Sequence, residues 1–181
     1  MSGPDGEVLF FRAQQACDPP PPPEGCRVTV WQPAGVAWTP PGTAGSKWIV
    51  WRLFQLTGVF ASRDYAVVQI WRGPTLAHRS SIFPRYFRFP FMQAADLQVG
   101  DTWTRESERG RGLAVTGLLT ALAWARGRRV WYLTTAANEP SVRVARRAGF
   151  VPAGTGVRRP AFGVGLLGAY HLVHPAAPEA R

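Results

Sequence analysis

The sequence contains little lysine, little cysteine and few acidic residues. Lys47 is its only lysine, and Cys17 and Cys26 are its only cysteines. It has no Cys-x-x-Cys pair, no His-Glu-x-x-His pattern and no carboxylates at metal-ligand spacing, so no metal site is predicted. Two cysteines without a secretion signal favour separate thiols, although one disulfide could close the loop around residues 19–23.

Long apolar runs are also missing. None approaches the roughly 20 residues that cross a bilayer, and residues 1–7 lack the basic start and apolar stretch of a secretion signal. We therefore expect a cytoplasmic protein. The length of 181 residues is typical of a single domain, and a chain of this size buries roughly 70% of its unfolded surface.

Negative charge is scarce, because 11 acidic residues stand against 21 basic ones and leave a net charge of +10. Such a charge attracts nucleic acid, membranes or anionic ligands. It also occurs on an ordinary solvated surface, and the spread of the arginines along the chain favours that interpretation. The arginines in residues 105–111 and 143–147 are still placed to steer a ligand with several phosphates.

The chain is organised around a glycine turn between a predicted strand and a predicted helix. Residues 97–104 have the composition of a strand, and an apolar stripe at helical spacing follows the turn. Gly110 and Gly112 permit positive φ, and unpaired N–H groups form the positive end of the helix dipole. Arg109 and Arg111 add guanidinium groups that hold phosphate oxygens in a bidentate fork. The turn is therefore predicted to bind an anion, phosphate above all.

A second segment, residues 130–150, has the pattern of an apolar strand followed by a helix. Pro140 suits the first helical turn, and Gly149 suits a left-handed C-terminal cap on which Phe150 folds back. Asn138 stands just before the helix, where it can act as a cap. The two segments together give strand, helix, strand, helix, which predicts a parallel or mixed sheet with crossovers.

These segments resemble the GCN5-related N-acetyltransferases, the GNAT family. The family signature, Arg/Gln-x-x-Gly-x-Gly/Ala, is matched by Arg109, Gly112 and Ala114. The family's next strand and helix carry an Asn, a Ser or Ala three residues later and a final Gly-Phe, which residues 138–150 match. The resemblance implies a mixed α/β fold whose sheet is mostly antiparallel, with a splayed parallel pair at the coenzyme site and flanking helices.

The resemblance also implies acetyl-CoA as co-substrate, bound where the sheet opens between its fourth and fifth strands. Pantetheine would pair with the backbone of Trp103 and Thr104. Asn138 would contact the coenzyme arm from the other side, cap its helix, or do both. The pyrophosphate would lie on the turn and the first helical residues, which are Arg109, Gly110, Arg111, Gly112, Leu113 and Ala114.

Acetyl transfer to an amine needs a base, because an ammonium with a pKa near 10 must first lose a proton. The candidates are Asp96, Asp101 and His78, of which Asp101 lies nearest the expected thioester. The two carboxylates face opposite sides of a regular strand unless a bulge intervenes, and either could merely bond backbone at a strand end. Many family members carry a tyrosine acid where this chain has Ala145, which leaves Ser141, a water, or no acid at all.

The acceptor site is predicted from a helix and an aromatic run. Residues 47–56 predict a buried helix, which in the family lies beside the acceptor. Residues 82–92 combine five aromatics with two prolines, which excludes both a regular central strand and an ordinary solvated loop. We expect a hydrophobic wall of the acceptor site, then a partner or dimer contact, and last a nucleic-acid surface. Substrate-binding candidates are Trp51, Arg52, His78, Phe83 and Tyr86, with core packing as the alternative for tryptophan.

The remaining segments are assigned from their length and composition. Residues 8–11 predict a short strand at an edge of the sheet, and residues 19–23 a polyproline spacer. Further strands are predicted at residues 27–31, 65–71, 75–83, 151–157 and 168–173, with helices at 112–126 and 140–148. We expect an N-terminal extension at residues 1–26, an acyltransferase domain at 27–175 and a tail at 176–181.

The sequence therefore predicts an N-acetyltransferase that moves an acetyl group from acetyl-CoA to an amine of a small molecule. An amino sugar or an amino-acid derivative is the expected acceptor. Direct transfer in a ternary complex is expected, because the motif strands contain no cysteine. The alternative is a non-catalytic acyl-CoA sensor or a partner-binding domain with a GNAT-like fold. The alanine at position 145, in place of a tyrosine acid, favours the sensor. A homodimer stays open.

Overall fold

A computed structural model describes residues 7–35, 37–161 and 164–176. Within these ranges the chain forms one eight-stranded sheet and three α-helices. The sheet order is β2-β3-β4-β5-β6-β1-β7-β8, and every neighbouring pair is antiparallel except β5 with β6. This confirms the predicted mixed α/β fold with one parallel pair. The elements are β1 (Val8–Ala13), β2 (Cys26–Trp31), α1 (Lys47–Leu56), β3 (Ala66–Arg72), β4 (Thr75–Pro84), β5 (Leu97–Thr104), α2 (Leu113–Ala125), β6 (Val130–Thr135), α3 (Glu139–Arg147), β7 (Val151–Ala161) and β8 (Val164–Pro175).

The N-terminal strand lies inside the sheet rather than at its edge. β1 pairs antiparallel with β6 on one side and with β7 on the other. Phe10 and Phe11, which point to opposite faces, are both buried, as expected of a strand that is covered on both faces. The predicted strand is confirmed, but its predicted edge position is wrong. The sheet therefore includes part of the predicted N-terminal extension.

α1 has the predicted bounds but is not a buried helix. Trp48 is its one buried residue, whereas Ile49, Val50, Leu53 and Leu56 are exposed. The apolar residues of this helix are distributed over all of its sides, and the sheet can cover only one side. The prediction of burial is therefore wrong for most of the helix. None of the helices in the described ranges is both long enough and apolar enough to cross a membrane.

Among the described residues, the two larger of three hydrophobic cores lie on opposite faces of the sheet. One packs α2 and α3 on the strands, and the other packs α1 and a group of aromatic side chains. Because successive strand residues point to opposite faces, Val67 joins the aromatic core while Ala66 and Val68 join the helical core. Leu118 and Leu122, from the predicted apolar stripe of α2, are fully buried.

The aromatic run after β4 belongs to the second core. Phe83, Tyr86 and Phe89 are buried, and the rings of Tyr86 and Phe89 meet edge-on with centroids 5.0 Å apart. The ring of Phe91 lies 4.9 Å from that of Trp131 in β6. Of the five aromatic side chains in the run, only Phe87 is exposed. The run is therefore interior packing rather than the open wall that its composition predicted.

The parallel strands β5 and β6 separate after a short paired stretch. Residues 97–99 pair with residues 130–132, and no pairing follows. Beyond this point β5 stays with β4, whereas β6 stays with β1. β5 also carries an extra residue opposite Ser80, and Asp101 in this bulge has a φ of 47°. A bulge bends its strand and increases the local twist, so β5 turns away from β6 and the sheet opens.

Candidate functional site

A cleft of about 450 Å³ occupies the opening between β5 and β6. Its volume is in the range of roughly 300–1,000 Å³ that is usual for small-molecule sites. All the predicted coenzyme contacts line it except Arg111. The lining residues are Thr102, Trp103, Thr104, Glu108, Arg109, Gly110, Gly112, Leu113, Ala114, Val115, Tyr132, Asn138, Pro140, Ser141, Val144 and Arg147.

The turn before α2 has the backbone that the glycines predicted. Gly110 and Gly112 both have a φ of +77°, and a Cβ at either position would meet no other atom within 4 Å. Gly112 is the N-cap of α2 but provides no side-chain cap, and the first turn of α2 contains no acidic residue. The first backbone hydrogen bond of the helix runs from Thr116 N–H to Gly112 C=O. The N–H groups of the first turn are therefore left for an anion.

The two arginines of the turn have different surroundings. Arg109 lines the cleft, and 64% of its side chain is exposed. Arg111 lies outside the cleft, with its Nε 3.6 Å from Glu108 Oε2. Glu108 in turn accepts hydrogen bonds from Arg72 Nε at 3.0 and 3.2 Å. This carboxylate, which itself lines the cleft, therefore ties the turn to the end of β3 and also contacts Arg111.

The opposite wall is the beginning of α3. Asn138 is the N-cap of this helix, and its Oδ1 accepts a hydrogen bond of 3.3 Å from Ser141 N–H. It also lines the cleft, so capping and ligand contact are compatible. Arg147 adds a second guanidinium to the lining. The cleft is thus bounded by two helix N-termini, two arginines and the carboxylate of Glu108, which is already paired with Arg72. The arginines and helix N-termini favour a ligand with negative charge.

Tyr132 is the residue of β6 at which the strands separate, and it lines the cleft. Its side chain is buried, and its hydroxyl hydrogen-bonds that of Ser141. Burial raises the pKa of Tyr132, and the bond with Ser141 lowers it by less. The phenol is therefore protonated at neutral pH. Ala145 is buried in the same core, one helical turn beyond Ser141.

The family whose description is "Acetyltransferase (GNAT) family" matches residues 55–150 of the chain. This match covers more than half of the sequence and contains the turn, α2, β6 and α3. The chain belongs to the GNAT family. Members of the family are acetyltransferases that use acetyl-CoA as co-substrate. A comparison with curated proteins finds no significant match.

Solved GNAT structures share the fold at low sequence identity. A tandem GNAT protein from the clavulanic acid biosynthesis pathway is 16% identical with a TM-score of 0.55, over 82% of this chain and 50% of its own. An N-acetyltransferase from Kribbella flavida is 16% identical with a TM-score of 0.50, over 84% of this chain and 58% of its own. This GNAT chain therefore spans about half the length of these solved structures.

His78, a predicted base and acceptor contact, lies behind the GNAT cleft rather than in it. Its ring is fully buried, with Nδ1 2.8 Å from Thr104 Oγ1 and Nε2 3.0 Å from Ser80 Oγ. Ser80 Oγ lies 3.1 Å from Thr102 Oγ1. Burial, and then the positive charge of Arg79, lower the pKa of His78 to about 3. The neutral imidazole therefore bonds Thr104 of the cleft lining directly and Thr102 through the buried Ser80, and His78 does not itself line the cleft.

This histidine makes the stability of the GNAT domain depend on pH. The pKa of His78 is about 3 when folded and about 6.5 when unfolded, so between these values only the unfolded chain gains a proton. We expect the free energy of unfolding to fall by about 2 kcal/mol between pH 7.5 and pH 5. The pKa of Asp64 is also lowered, although burial opposes this, and this carboxylate titrates only below the window. Denaturant titrations across the window measure the slope.

The variant His78→Gln is the control for this effect. It keeps a polar side chain but does not titrate, so its free energy of unfolding should vary much less over the same window. Its absolute stability is immaterial, because the comparison is between slopes. A slope in His78→Gln equal to that of the wild-type protein would assign the pH dependence to other groups.

Asp101, the favoured base, lies at the bulge of β5 between two cations. Both of its carboxylate oxygens accept hydrogen bonds from Lys47 Nζ, at 2.9 and 2.8 Å. Arg79 Nη1 donates to Asp101 Oδ2 at 2.6 Å. The bulge that could bring the two predicted carboxylates to one side is present. Asp101 itself does not line the cleft, but the next two residues of β5, Thr102 and Trp103, do.

The other carboxylate, Asp96, lies at the opposite end of β5 from the cleft. Its Oδ2 accepts hydrogen bonds from Trp131 Nε1 at 2.9 Å and from Gln93 N–H at 3.0 Å. The side chain is buried, and Arg129 Nη1 is 3.9 Å from Oδ2. Asp96 therefore holds the start of β5 on β6, and the structure does not bring it to the cleft.

None of the predicted acceptor residues lines the cleft. Phe83 and Tyr86 are buried, and Trp51 packs on Phe83 with ring centroids 5.0 Å apart. Arg52 points away, donating to Pro33 C=O and Gly35 C=O at 3.4 and 3.2 Å. Aromatic composition and sequence order alone could not distinguish a lining ring from a core ring.

Thr102 and Tyr132 are two contributors to the cleft that were not predicted from the sequence. Thr102 stands beside the predicted Trp103 and Thr104, and the hydroxyls of the two threonines meet the buried His78 network. Tyr132 lies within a strand that was predicted only as an apolar run. A phenol next to the separation point of two parallel strands was the signal that could have identified it. Cys17 and Cys26 are free thiols and do not line this site.

Proposed function

We propose that this GNAT protein transfers an acetyl group from acetyl-CoA to an amine of a small molecule, directly and in a ternary complex. The observation that supports the proposal most strongly is the cleft between β5 and β6, which ends at the uncapped first turn of α2. No residue that lines this cleft is a cysteine. A covalent acyl-enzyme therefore has no thiol nucleophile there, and direct transfer is the simplest route.

The described residues fit the coenzyme. Two glycines with positive φ let a pyrophosphate approach the backbone, and the first turn of α2 offers unpaired N–H groups and contains no carboxylate of its own. Glu108, the carboxylate in the cleft lining, is paired with Arg72. Arg109 and Arg147 add positive charge to the lining. The residues of β5 beyond the separation point have β4 on one side only, so their other side is left to pair with pantetheine. We therefore propose Arg109, Gly110, Gly112, Leu113 and Ala114 for the pyrophosphate, and Trp103, Thr104 and Asn138 for the arm.

An ammonium acceptor loses two protons in the reaction, and the sulfur gains one. The first proton leaves the ammonium before attack. The second leaves the nitrogen as it bonds to the acetyl carbon and the carbon–sulfur bond breaks, and it replaces the proton that the donor gives to the sulfur. We propose Asp101, acting through water, as the acceptor of the ammonium proton. Tyr132 is the proposed proton donor for the sulfur, with Ser141 holding its hydroxyl. Its raised pKa supports this role, because a phenol that stays protonated can donate.

A non-catalytic acyl-CoA sensor is the second candidate. It is favoured by Ala145, which stands where many family members carry their acid, and by the two cations that hold Asp101. Both candidates predict binding of acetyl-CoA, and they differ only in turnover. Because β1 lies inside the sheet, we propose that either function requires β1 as part of the domain.

Release of free coenzyme A thiol distinguishes the transferase from the non-catalytic sensor. Purified protein is incubated with acetyl-CoA and a panel of amines, and free coenzyme A is followed with a thiol reagent. Amine-dependent release that saturates with amine supports the transferase. Binding of acetyl-CoA without release on any amine supports the sensor and contradicts the proposed reaction.

A further inference from the structure

A second depression adjoins the coenzyme cleft. Its volume is about 230 Å³, and Trp103 belongs to the linings of both. The second lining also contains Lys47 and Trp48 of α1, Arg79 of β4 and Arg105, which follows β5. Trp103 of β5 therefore lies at the boundary between the depression and the cleft. An acceptor held in the depression would lie beside a coenzyme in the cleft.

The depression carries an excess of positive charge. Three cations line it, and the carboxylate beside them is that of Asp101, which pairs with Lys47 at 2.8 Å and with Arg79 at 2.6 Å. Among the described residues, Arg105 has no carboxylate within 4.0 Å, and its Nε donates to Leu76 C=O at 3.2 Å. Two of the three positive charges are therefore not neutralised by the protein.

Arg79 is an arginine that is largely buried but has no carboxylate to itself. Only 14% of its side chain is exposed, yet it shares its one carboxylate with Lys47. Its hydrogen bonds to Asp101 use Nη1 alone, and no partner for Nε or Nη2 is found among the described residues. A guanidinium so far withdrawn from water is usually paired with its own anion. A bound anion would supply the missing partner.

Two tryptophans hold these cations in place. Lys47 Nζ and the guanidinium of Arg79 lie 4.9 and 5.1 Å from the ring centroid of Trp48. The guanidinium groups of Arg79 and Arg105 lie 5.9 and 6.0 Å from that of Trp103. Stacking on aromatic rings orders the side chains and leaves the edges of each guanidinium free to donate. The cations are thus arranged in advance, which favours binding.

From this arrangement we infer that the acceptor is a small amine that also carries an anionic group, a carboxylate or a phosphate. Its ammonium faces Asp101, and its anion binds Arg79 and Arg105. The inference rests on the proposed function and narrows the acceptor to the amino-acid type. An amino sugar with several ammonium groups is repelled by the same cations.

The test uses calorimetric titration of the protein saturated with coenzyme A. The ligands are the common amino acids beside their amides, and phosphoethanolamine beside ethanolamine, so each pair differs in the anionic group. We expect at least one anionic member to bind ten or more times tighter than its uncharged counterpart. Equal affinities within every pair, preference for the uncharged member, or no binding of any anionic amine would overturn the inference.

Arg105→Gln provides the residue-level test, because Arg105 has no ion pair to lose. The variant should reduce the preference for the anionic member about tenfold and leave affinity for acetyl-CoA unchanged. Arg27→Gln is the matched control, since Arg27 also stacks on a tryptophan, Trp71, with 5.7 Å between guanidinium and ring centroid. An unchanged preference in Arg105→Gln contradicts the assignment of this arginine. If the wild-type protein does not bind acetyl-CoA at all, the proposed function itself fails. A separate titration with acetyl-CoA alone detects that outcome.

Discussion

The variant Gly112→Asp is expected to bind acetyl-CoA at least a hundredfold more weakly than the wild-type protein. Gly112 has a φ of +77° and lies at the N-terminus of α2, where it lines the cleft. An aspartate there places a carboxylate in front of the N–H groups that are proposed to bind the pyrophosphate. It can also cap those groups itself, because aspartate is a favoured N-cap residue. The variant thus competes with the ligand and repels it. Calorimetric titration with acetyl-CoA measures the effect.

Gly58→Asp is the matched control. Gly58 has a φ of +74° and, like Gly112, leaves open space where a Cβ would stand. It follows α1 and does not line the cleft. Both substitutions impose an aspartate on left-handed backbone, at a cost of about 1–2 kcal/mol, so thermal unfolding should shift similarly. Equal affinity of Gly112→Asp and Gly58→Asp for acetyl-CoA would mean that the turn does not hold the coenzyme.

The variant Tyr132→Phe is expected to lower kcat for amine acetylation about a hundredfold, the lower end of the range for loss of a general acid. It keeps the ring and removes the hydroxyl, so the fold and the affinity for acetyl-CoA should change little. Burial raises the pKa of Tyr132 despite the bond with Ser141. Proton donation by Tyr132 should therefore continue above pH 10, the ordinary value for tyrosine. Thiol release across a pH series measures both properties.

Ser141→Ala is the companion variant. It leaves the phenol in place and removes its hydrogen-bond partner, so kcat should fall less than in Tyr132→Phe. If Tyr132→Phe turned over within threefold of the wild-type protein, Tyr132 would be a structural residue of the cleft. The sulfur would then gain its proton from another donor, or leave as the thiolate.

The coenzyme cleft could be predicted from sequence because its parts are local. A glycine turn between a strand and a helix needs only Gly110 and Gly112 at the right spacing, and the cap of α3 needs only Asn138. The bounds of α2 follow from its apolar stripe and from the glycines on either side. Such signals lie within a few residues of one another, so the pairing of distant strands does not affect them.

The predictions that were wrong concern features that depend on contacts between distant parts of the chain. Residues 8–11 form a short apolar segment, and strands at the edge of a sheet and strands inside it can both have this pattern. The sequence therefore does not show that β1 lies between β6 and β7. The aromatic run at residues 82–92 shows the same limit. Its composition fits the wall of an acceptor site as well as a core, because composition does not say which rings contact one another. The left-handed backbone of Asp101 depends on the pairing of β5 with β4. The acceptor depression joins α1, β4 and β5, so no single motif could reveal it.

The measurement that tests the account most directly is a calorimetric titration of the wild-type protein with acetyl-CoA, beside desulfo-coenzyme A and ADP. The account predicts one site with micromolar affinity for acetyl-CoA, with desulfo-coenzyme A close behind and ADP at least tenfold weaker. Such a series is expected when the phosphates bind the turn before α2 and the arm adds contacts between β5 and β6. No heat and no shift in thermal unfolding with acetyl-CoA would contradict the account and leave the turn as a structural feature of the fold.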